Sequence, residues 1–164
     1  AVLEMSPKIF DNASAHRAEH SLETQLPFLQ YFKEDFRIVP ICLMNLKLKE
    51  CRALSEAILK AVRKVGRQVL IVASSDMSHY ESHDEASAKD RKAIDQIIKM
   101  DPEGLYETVK ENAISMCGVI PATVMLMVSK EMGASNAELV KYMTSGETSG
   151  NYDRVVGYAG VIVK

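Results

Sequence analysis

The chain has 164 residues, 47% of them hydrophobic, which suits one modest domain with its own core. Twenty Lys and Arg against 22 Asp and Glu leave a formal net charge of -2, which argues against a nucleic-acid footprint or a polybasic membrane anchor. No apolar run approaches the roughly 20 residues of a membrane span, and the N-terminus lacks the basic-then-apolar order of a signal peptide. A cytoplasmic location is therefore expected, with a small molecule or a peptide as partner. The chain opens on Ala1 without a Met, so it is expected to start partway through a longer protein.

After a loop-like opening, Leu22, Leu26 and Leu29 fall at helical spacing between Ser21 and Phe32, with Pro27 inside, which predicts a kinked or late-starting helix. The run Arg37 to Met44 reads as a strand, and Lys49 to Lys64 as a helix with Leu54, Ile58, Leu59 and Val62 on one stripe. Gly66 breaks the chain before a second apolar strand, Gln68 to Ala73. A helix is expected over 83–100, around Ile94, Ile97 and Ile98. Another starts at Asp101-Pro102, where Asp caps and Pro fits the first turn, and ends near Glu111. Residues 118–132 are apolar enough for a buried helix, with Pro121 tolerable in its first turn and Gly133 ending it. Glu138 to Met143 and Val155 to Val163 read as strands joined by a small-polar loop, 144–151. Alternating strands and helices predict an α/β fold: a three-layer α/β/α sandwich around a mostly parallel or mixed sheet, in one domain over 1–164. No internal repeat or interdomain linker interrupts it.

Chemistry is expected where the strand Gln68 to Ala73 ends in Ser74-Ser75-Asp76-Met77-Ser78-His79, because open α/β sheets bind ligands beyond the C-terminal ends of their strands. Asp76 and His79 are three apart, a spacing at which a carboxylate can orient or polarise an imidazole for proton transfer. Asp76 could instead cap the next helix. The neighbouring serines make a Ser-His-Asp hydrolase conceivable, but no Gly-x-Ser-x-Gly elbow is present.

All four histidines fall in two pairs, His16 with His20 and His79 with His83, each at an i, i+4 interval. That spacing can clamp a metal on one helix face, but both pairs straddle helix starts, so one His from each pair meeting in the fold is the better use. Glu19 and Glu23 flank His20, either as carboxylates that fix its ring or as first-turn acids that complement the helix dipole. Cys42, Cys51 and Cys117 are an odd number with no paired short spacing, so neither a disulfide framework nor a Cys-only zinc site is suggested. Cys42 and Cys51 read as packing residues. Cys117 alone has a setting for chemistry, just ahead of a helix N-terminus that favours a thiolate as ligand or nucleophile. Met125 and Met127, in the apolar helix, read as core filler and not as copper ligands.

Four segments occur in one order: Glu19-His20-Ser21-Leu22-Glu23 with Gln25-Leu26-Pro27-Phe28-Leu29-Gln30; Ser74-Ser75-Asp76 with Ser78-His79-Tyr80; Met116-Cys117-Gly118 with Pro121; and Thr144-Ser145-Gly146 followed by Arg154-Val155-Val156-Gly157-Tyr158-Ala159. Together they resemble the Memo family, also called AmmeMemoRadiSam system protein B, over nearly the whole chain. The resemblance implies a fold like the class III extradiol dioxygenases, with a non-haem metal pocket at the sheet's switch point. It implies His20 and Cys117 as metal ligands, His79 as the acid/base histidine facing the pocket, and Asp76 as its support. Cys117 stands where those dioxygenases keep a carboxylate, which favours softer metals such as copper(I) or iron. The family carries another pocket histidine in a Pro-His-Ala-Gly-like segment that this sequence lacks, so the chain is expected to correspond to the C-terminal part of a family member. The function expected is a metal-dependent redox or oxygenase-type reaction. The alternative is a peptide- or small-ligand-binding module, and other AmmeMemoRadiSam proteins are conceivable partners.

Overall fold

A computed structural model describes residues 2–6 and 9–164 of the chain. The loop-like opening includes residues 1, 7 and 8, which lie outside the described residues. Within the opening, Val2–Met5 makes one helical turn, α1, and Ala13–His16 a 3-10 turn capped by the Asn12 side chain. The helix expected from Ser21 starts late: residues 21–25 are turns, and α2 covers Leu26–Phe32 with Pro27 in its first turn, where the missing N–H costs nothing.

The next helix, α3, spans Leu48–Val65, and its start is held by the Lys47 amide donating to the Glu50 carboxylate at 3.0 Å. Gly66 ends it in the left-handed region at φ 62°, a conformation that only glycine adopts without strain. A short strand β1, His79–Glu81, leads into α4, His83–Ile98, which Ser82 caps by accepting from the Glu85 amide. Asp76 is thus free of the capping role. Asp101 caps α5, Pro102–Glu111, through the Gly104 amide at 2.9 Å. Then follow α6, Val119–Glu131; β2, Ala137–Thr144; a single turn α7, Gly146–Ser149, inside the loop expected there; and β3, Val155–Val163.

Among the described residues the sheet has three antiparallel strands in the order β1-β3-β2. Ala137 opposes Val163 and Thr144 opposes Gly157 in the longer pairing, and β1 meets β3 through His79 and Val156. The chain is therefore mixed α/β, but the sheet is antiparallel and smaller than the composition of strands predicts. Arg37–Met44 and Gln68–Ala73 carry no ladder. Strand stability comes from cross-strand partners, so these apolar runs do not become strands where no neighbour pairs with them, and Pro40 removes one donor from the first.

α6 is the axis of the core. It is apolar on all sides, so it is buried between two clusters. Ala122 and Leu126 face Ile94, Ile97, Leu105 and Met116, which pack beneath the sheet residues Leu139, Tyr142 and Ala159. Ile120, Val124, Met127 and Val128 face Cys51, Leu54 and Leu59 of α3. Met125 and Met127 accordingly pack in these clusters, as their sequence setting indicates. Leu105, Leu126 and Ile94 are fully buried, each contributing about 2 kcal/mol of transfer free energy. This core fixes the N-terminus of α6, and with it Cys117, against the segment that follows residues 69–73.

Candidate metal centre

The site begins with a close approach of two backbones. The Ser75 hydroxyl accepts from the Gly118 amide at 2.8 Å and donates to the Asp76 carbonyl at 2.7 Å. A side chain at residue 118 would run into the Ser75 side chain and the Ser74 carbonyl, so only glycine lets α6 start here. One residue earlier, Cys117 is exposed and reduced, and its Sγ accepts from the Asp76 amide at 3.2 Å.

His79 enters from β1. Its Nδ1 lies 2.7 Å from the Ser115 carbonyl oxygen, which can only accept, so Nδ1 carries the proton and donates. Its backbone amide donates to the Ser115 hydroxyl at 2.7 Å. In the neutral ring Nε2 then keeps its lone pair, 3.6 Å from the Asp76 Oδ2. Donor atoms of Asp76, His79 and Cys117 all lie within 4.8 Å of one another. A carboxylate, an imidazole with its tautomer fixed and a thiol in that space form a triad whose donor chemistry could hold a metal ion.

A buried carboxylate anchors the segment that carries His79. Asp90 of α4 is fully buried; one oxygen accepts from the Ser78 amide at 2.9 Å and the other from the Tyr142 hydroxyl at 2.8 Å. Burial, with further pressure from the Asp90 charge, pushes the Tyr142 hydroxyl up to about 12. Gly157 passes so close to the Asp90 carboxylate that a Cβ there would overlap it. The Met77 amide donates to the Gly157 carbonyl and the Gly157 amide to the Ser78 carbonyl, both at 2.9 Å. Asp76 and His79 are thus suspended from α4, β2 and β3 together.

The other residues singled out by sequence fall differently. His20 lies outside the triad, its side chain 71% exposed and its Nδ1 2.9 Å from a Glu23 carboxylate oxygen. Glu19 contacts Ser21, taking its amide and its hydroxyl at 2.7 Å each; these bonds hold the Glu19 carboxyl below its ordinary value. The His20 turn is nonetheless tied to the site: Ser74 donates to the Ser21 carbonyl at 2.8 Å and accepts from the Gln25 amide group at 3.0 Å. His16 sits in the 3-10 turn, and His83 places Nδ1 2.9 Å from the Thr144 hydroxyl with Tyr152 edge-on to its ring. Cys51 is buried, which pushes its thiol up, and Cys42 is half-buried. Ser115 and Asp90 are the residues that local reading passes over. They act through contacts 36 and 12 residues away, and no short motif announces them.

Cys117 also lines a cavity of about 700 Å³ shared with Met44, Leu46, Tyr106, Ile114 and Ile120. The thiol therefore has room for a ligand beside it.

The family model for Memo-like proteins matches residues 1–162. The chain is 46% identical over 155 residues to a MEMO1 family protein of Methanopyrus kandleri, covering 94% of this chain and 55% of that relative. It is 46% identical over 161 residues to a MEMO1 family protein of Ignicoccus hospitalis, covering 98% and 56%, and 43% identical over 155 residues to one of Pyrobaculum aerophilum, covering 94% and 55%. The chain spans about half the length of the relatives it matches. Matched along nearly all of its own length, it belongs to the family of Memo-like proteins.

Proposed function

We propose that Asp76, His79 and Cys117 hold an iron or copper ion, and that the protein carries out a metal-dependent redox or oxygenase-type reaction. The single observation that carries this reading is the convergence of three donor atoms of different chemistry within 4.8 Å. A thiolate with one imidazole favours softer or redox-active metals over calcium or magnesium, which take all-oxygen sites. Such an ion would supply redox chemistry at a position reachable from the cavity beside Cys117. The chain's own part is to fix the donors. Ser115 holds His79 Nδ1–H so that Nε2 faces inward, and the Asp76 amide steadies the Cys117 sulfur.

His20 belongs to this proposal as a further ligand, because its turn is tethered to Ser74, the neighbour of Ser75 and Asp76. The same atoms support a competing division of labour, in which His79 and Asp76 move a proton while His20 and Cys117 hold the metal. The dioxygenase-like three-layer sandwich is part of the same reading and requires the apolar runs 37–44 and 68–73 to join the sheet. A non-catalytic reading also has an observation in its favour: the cavity beside Cys117 is apolar enough to take a small ligand or peptide without turnover.

Metal content of purified variants separates these readings. Cys117→Ala is expected to reduce bound iron or copper at least tenfold, and Cys42→Ala and Cys51→Ala to leave it unchanged. Loss of metal in His79→Ala places His79 among the ligands; retained metal with lost turnover gives it the proton. Equal metal in all variants removes the site and leaves the ligand-binding reading.

A further inference from the structure

Among the described residues, three that are not glycine take a left-handed backbone: Tyr80 at φ 60°, Met100 at 55° and Ala113 at 48°. Met100 and Ala113 come just after the ends of α4 and α5, where a left-handed residue lets the chain close back on the helix. The Asp101 amide donates to the Gln96 carbonyl at 3.0 Å, and the Ile114 amide to the Val109 carbonyl at 2.9 Å. Tyr80 has no such cause. It lies inside β1, where a positive φ on a bulky residue is an outlier, and its ring is 69% exposed, so side-chain packing does not dictate the conformation.

The pairing of β1 with β3 does dictate it. His79 opposes Val156 and Glu81 opposes Val155, so Tyr80 is the extra residue of a β-bulge. Both flanks are pinned. On one side the Gly157 amide donates to the Ser78 carbonyl, the Ser78 amide to Asp90, and the His79 amide and Nδ1 to Ser115. On the other, Glu81 pairs with Lys89 of α4 and the His83 amide donates to the Tyr152 carbonyl at 2.9 Å. Strain at one residue persists when its surroundings over-determine it in this way. Straightening β1 would move either His79 or Glu81 out of its register with β3, and away from its anchor.

We infer that Tyr80 is a positioning residue for His79: its left-handed bulge absorbs the extra residue, so that His79 keeps its place opposite Val156 and presents Nε2 to Asp76 and Cys117. The inference rests on the reading of those three residues as the functional site, and it holds whether His79 binds the metal or carries the proton. What the position requires is the backbone conformation. The ring contacts, 6.0 Å to the His79 ring and 5.4 Å to the Arg154 guanidinium, are secondary. Glycine, which adopts positive φ freely, is therefore the conservative replacement, and a β-branched residue the disruptive one.

The test reads the His79 tautomer by nitrogen NMR in metal-free protein, then copper(I) affinity, in variants whose folding is checked by denaturant unfolding. Tyr80→Gly is expected to keep the Nδ1–H signature and to stay within about twofold of the unmodified protein in affinity. Tyr80→Val is expected to give a mixture of tautomers and at least tenfold weaker binding. Should Tyr80→Val fail to fold, Tyr80→Ala carries the comparison: it lacks the ring as glycine does but resists the left-handed region, and is expected to shift toward mixed tautomers. An unchanged His79 signature in the folded valine or alanine variant would overturn the inference. So would a glycine variant that shifts as far as valine, which would assign the effect to the ring. Tautomers that follow the backbone rule in a protein that binds no copper would uphold the positioning role and remove the metal reading.

Discussion

The backbone amide of Asp76 donates to the sulfur of Cys117 at 3.2 Å, across 41 residues of sequence. That one contact joins the two motifs on which the site depends. It exists because α6 packs between two core clusters that hold its N-terminus against the loop that follows residues 69–73.

Thiol reactivity should follow this geometry. Cys117 is exposed, whereas Cys51 is buried and its thiol is pushed up by desolvation. Alkylation of the native protein, read by peptide mass spectrometry, is expected to label Cys117 first and to reach Cys51 only after denaturation. Faster labelling of Cys51 would contradict the packing of α3 against α6.

Gly118→Ala should damage the site without touching a donor. The new methyl meets the Ser74 carbonyl carbon–oxygen group and the Ser75 hydroxyl at 2.6 and 2.7 Å, so either α6 or the Ser75 loop must shift. Overpacking of this kind costs about 1–3 kcal/mol. Denaturant unfolding should show that loss, and metal affinity should fall with it.

Asp90 and Tyr142 should matter for stability and for alkaline behaviour. Asp90→Ala strands the Ser78 amide and leaves the Tyr142 hydroxyl only its long bond to the Ser87 hydroxyl at 3.5 Å, a loss of about 2–4 kcal/mol. The Tyr142 hydroxyl is raised in the folded state, chiefly by burial and further by Asp90. A raised group stabilises fully below its unfolded value near 10 and loses that contribution as pH climbs toward about 12. Tyr142→Phe should therefore flatten the fall in stability between pH 10 and 12, measured by chemical denaturation at each pH.

The turn bearing His20 should respond in the opposite pH range. Glu19 is lowered by the Ser21 amide and hydroxyl, so its contribution is present above its ordinary value of 4.5 and fades as pH falls through the lowered one. Glu19→Gln should abolish that acid dependence, read by hydrogen exchange of the Ser21 amide. Ser74→Ala should loosen the same turn by about 1 kcal/mol, because two side-chain bonds to it disappear.

Helices were legible in the sequence because their signals are local. Asp101-Pro102 opens α5, the stripe of Leu54 and Leu59 marks α3, and the uniformly apolar α6 reads as buried. β2 and β3 were legible within a residue or two. The runs 37–44 and 68–73 were not, because an apolar pattern gives a strand's propensity while its ladder depends on a neighbour elsewhere in the chain. The site divides the same way. Asp76, His79 and Cys117 stand out through residue type and position after a strand-like run or before a helix, but their convergence with one another, and the anchoring by Ser115 and Asp90, are products of tertiary packing.

X-ray absorption at the metal edge, on protein loaded anaerobically with copper(I) or iron(II), tests the metal centre most directly. The account predicts a sulfur scatterer near the roughly 2.3 Å of a zinc–thiolate bond, lost in Cys117→Ala and kept in Cys42→Ala and Cys51→Ala. A bound metal ringed by nitrogen and oxygen alone, unchanged by Cys117→Ala, would contradict it.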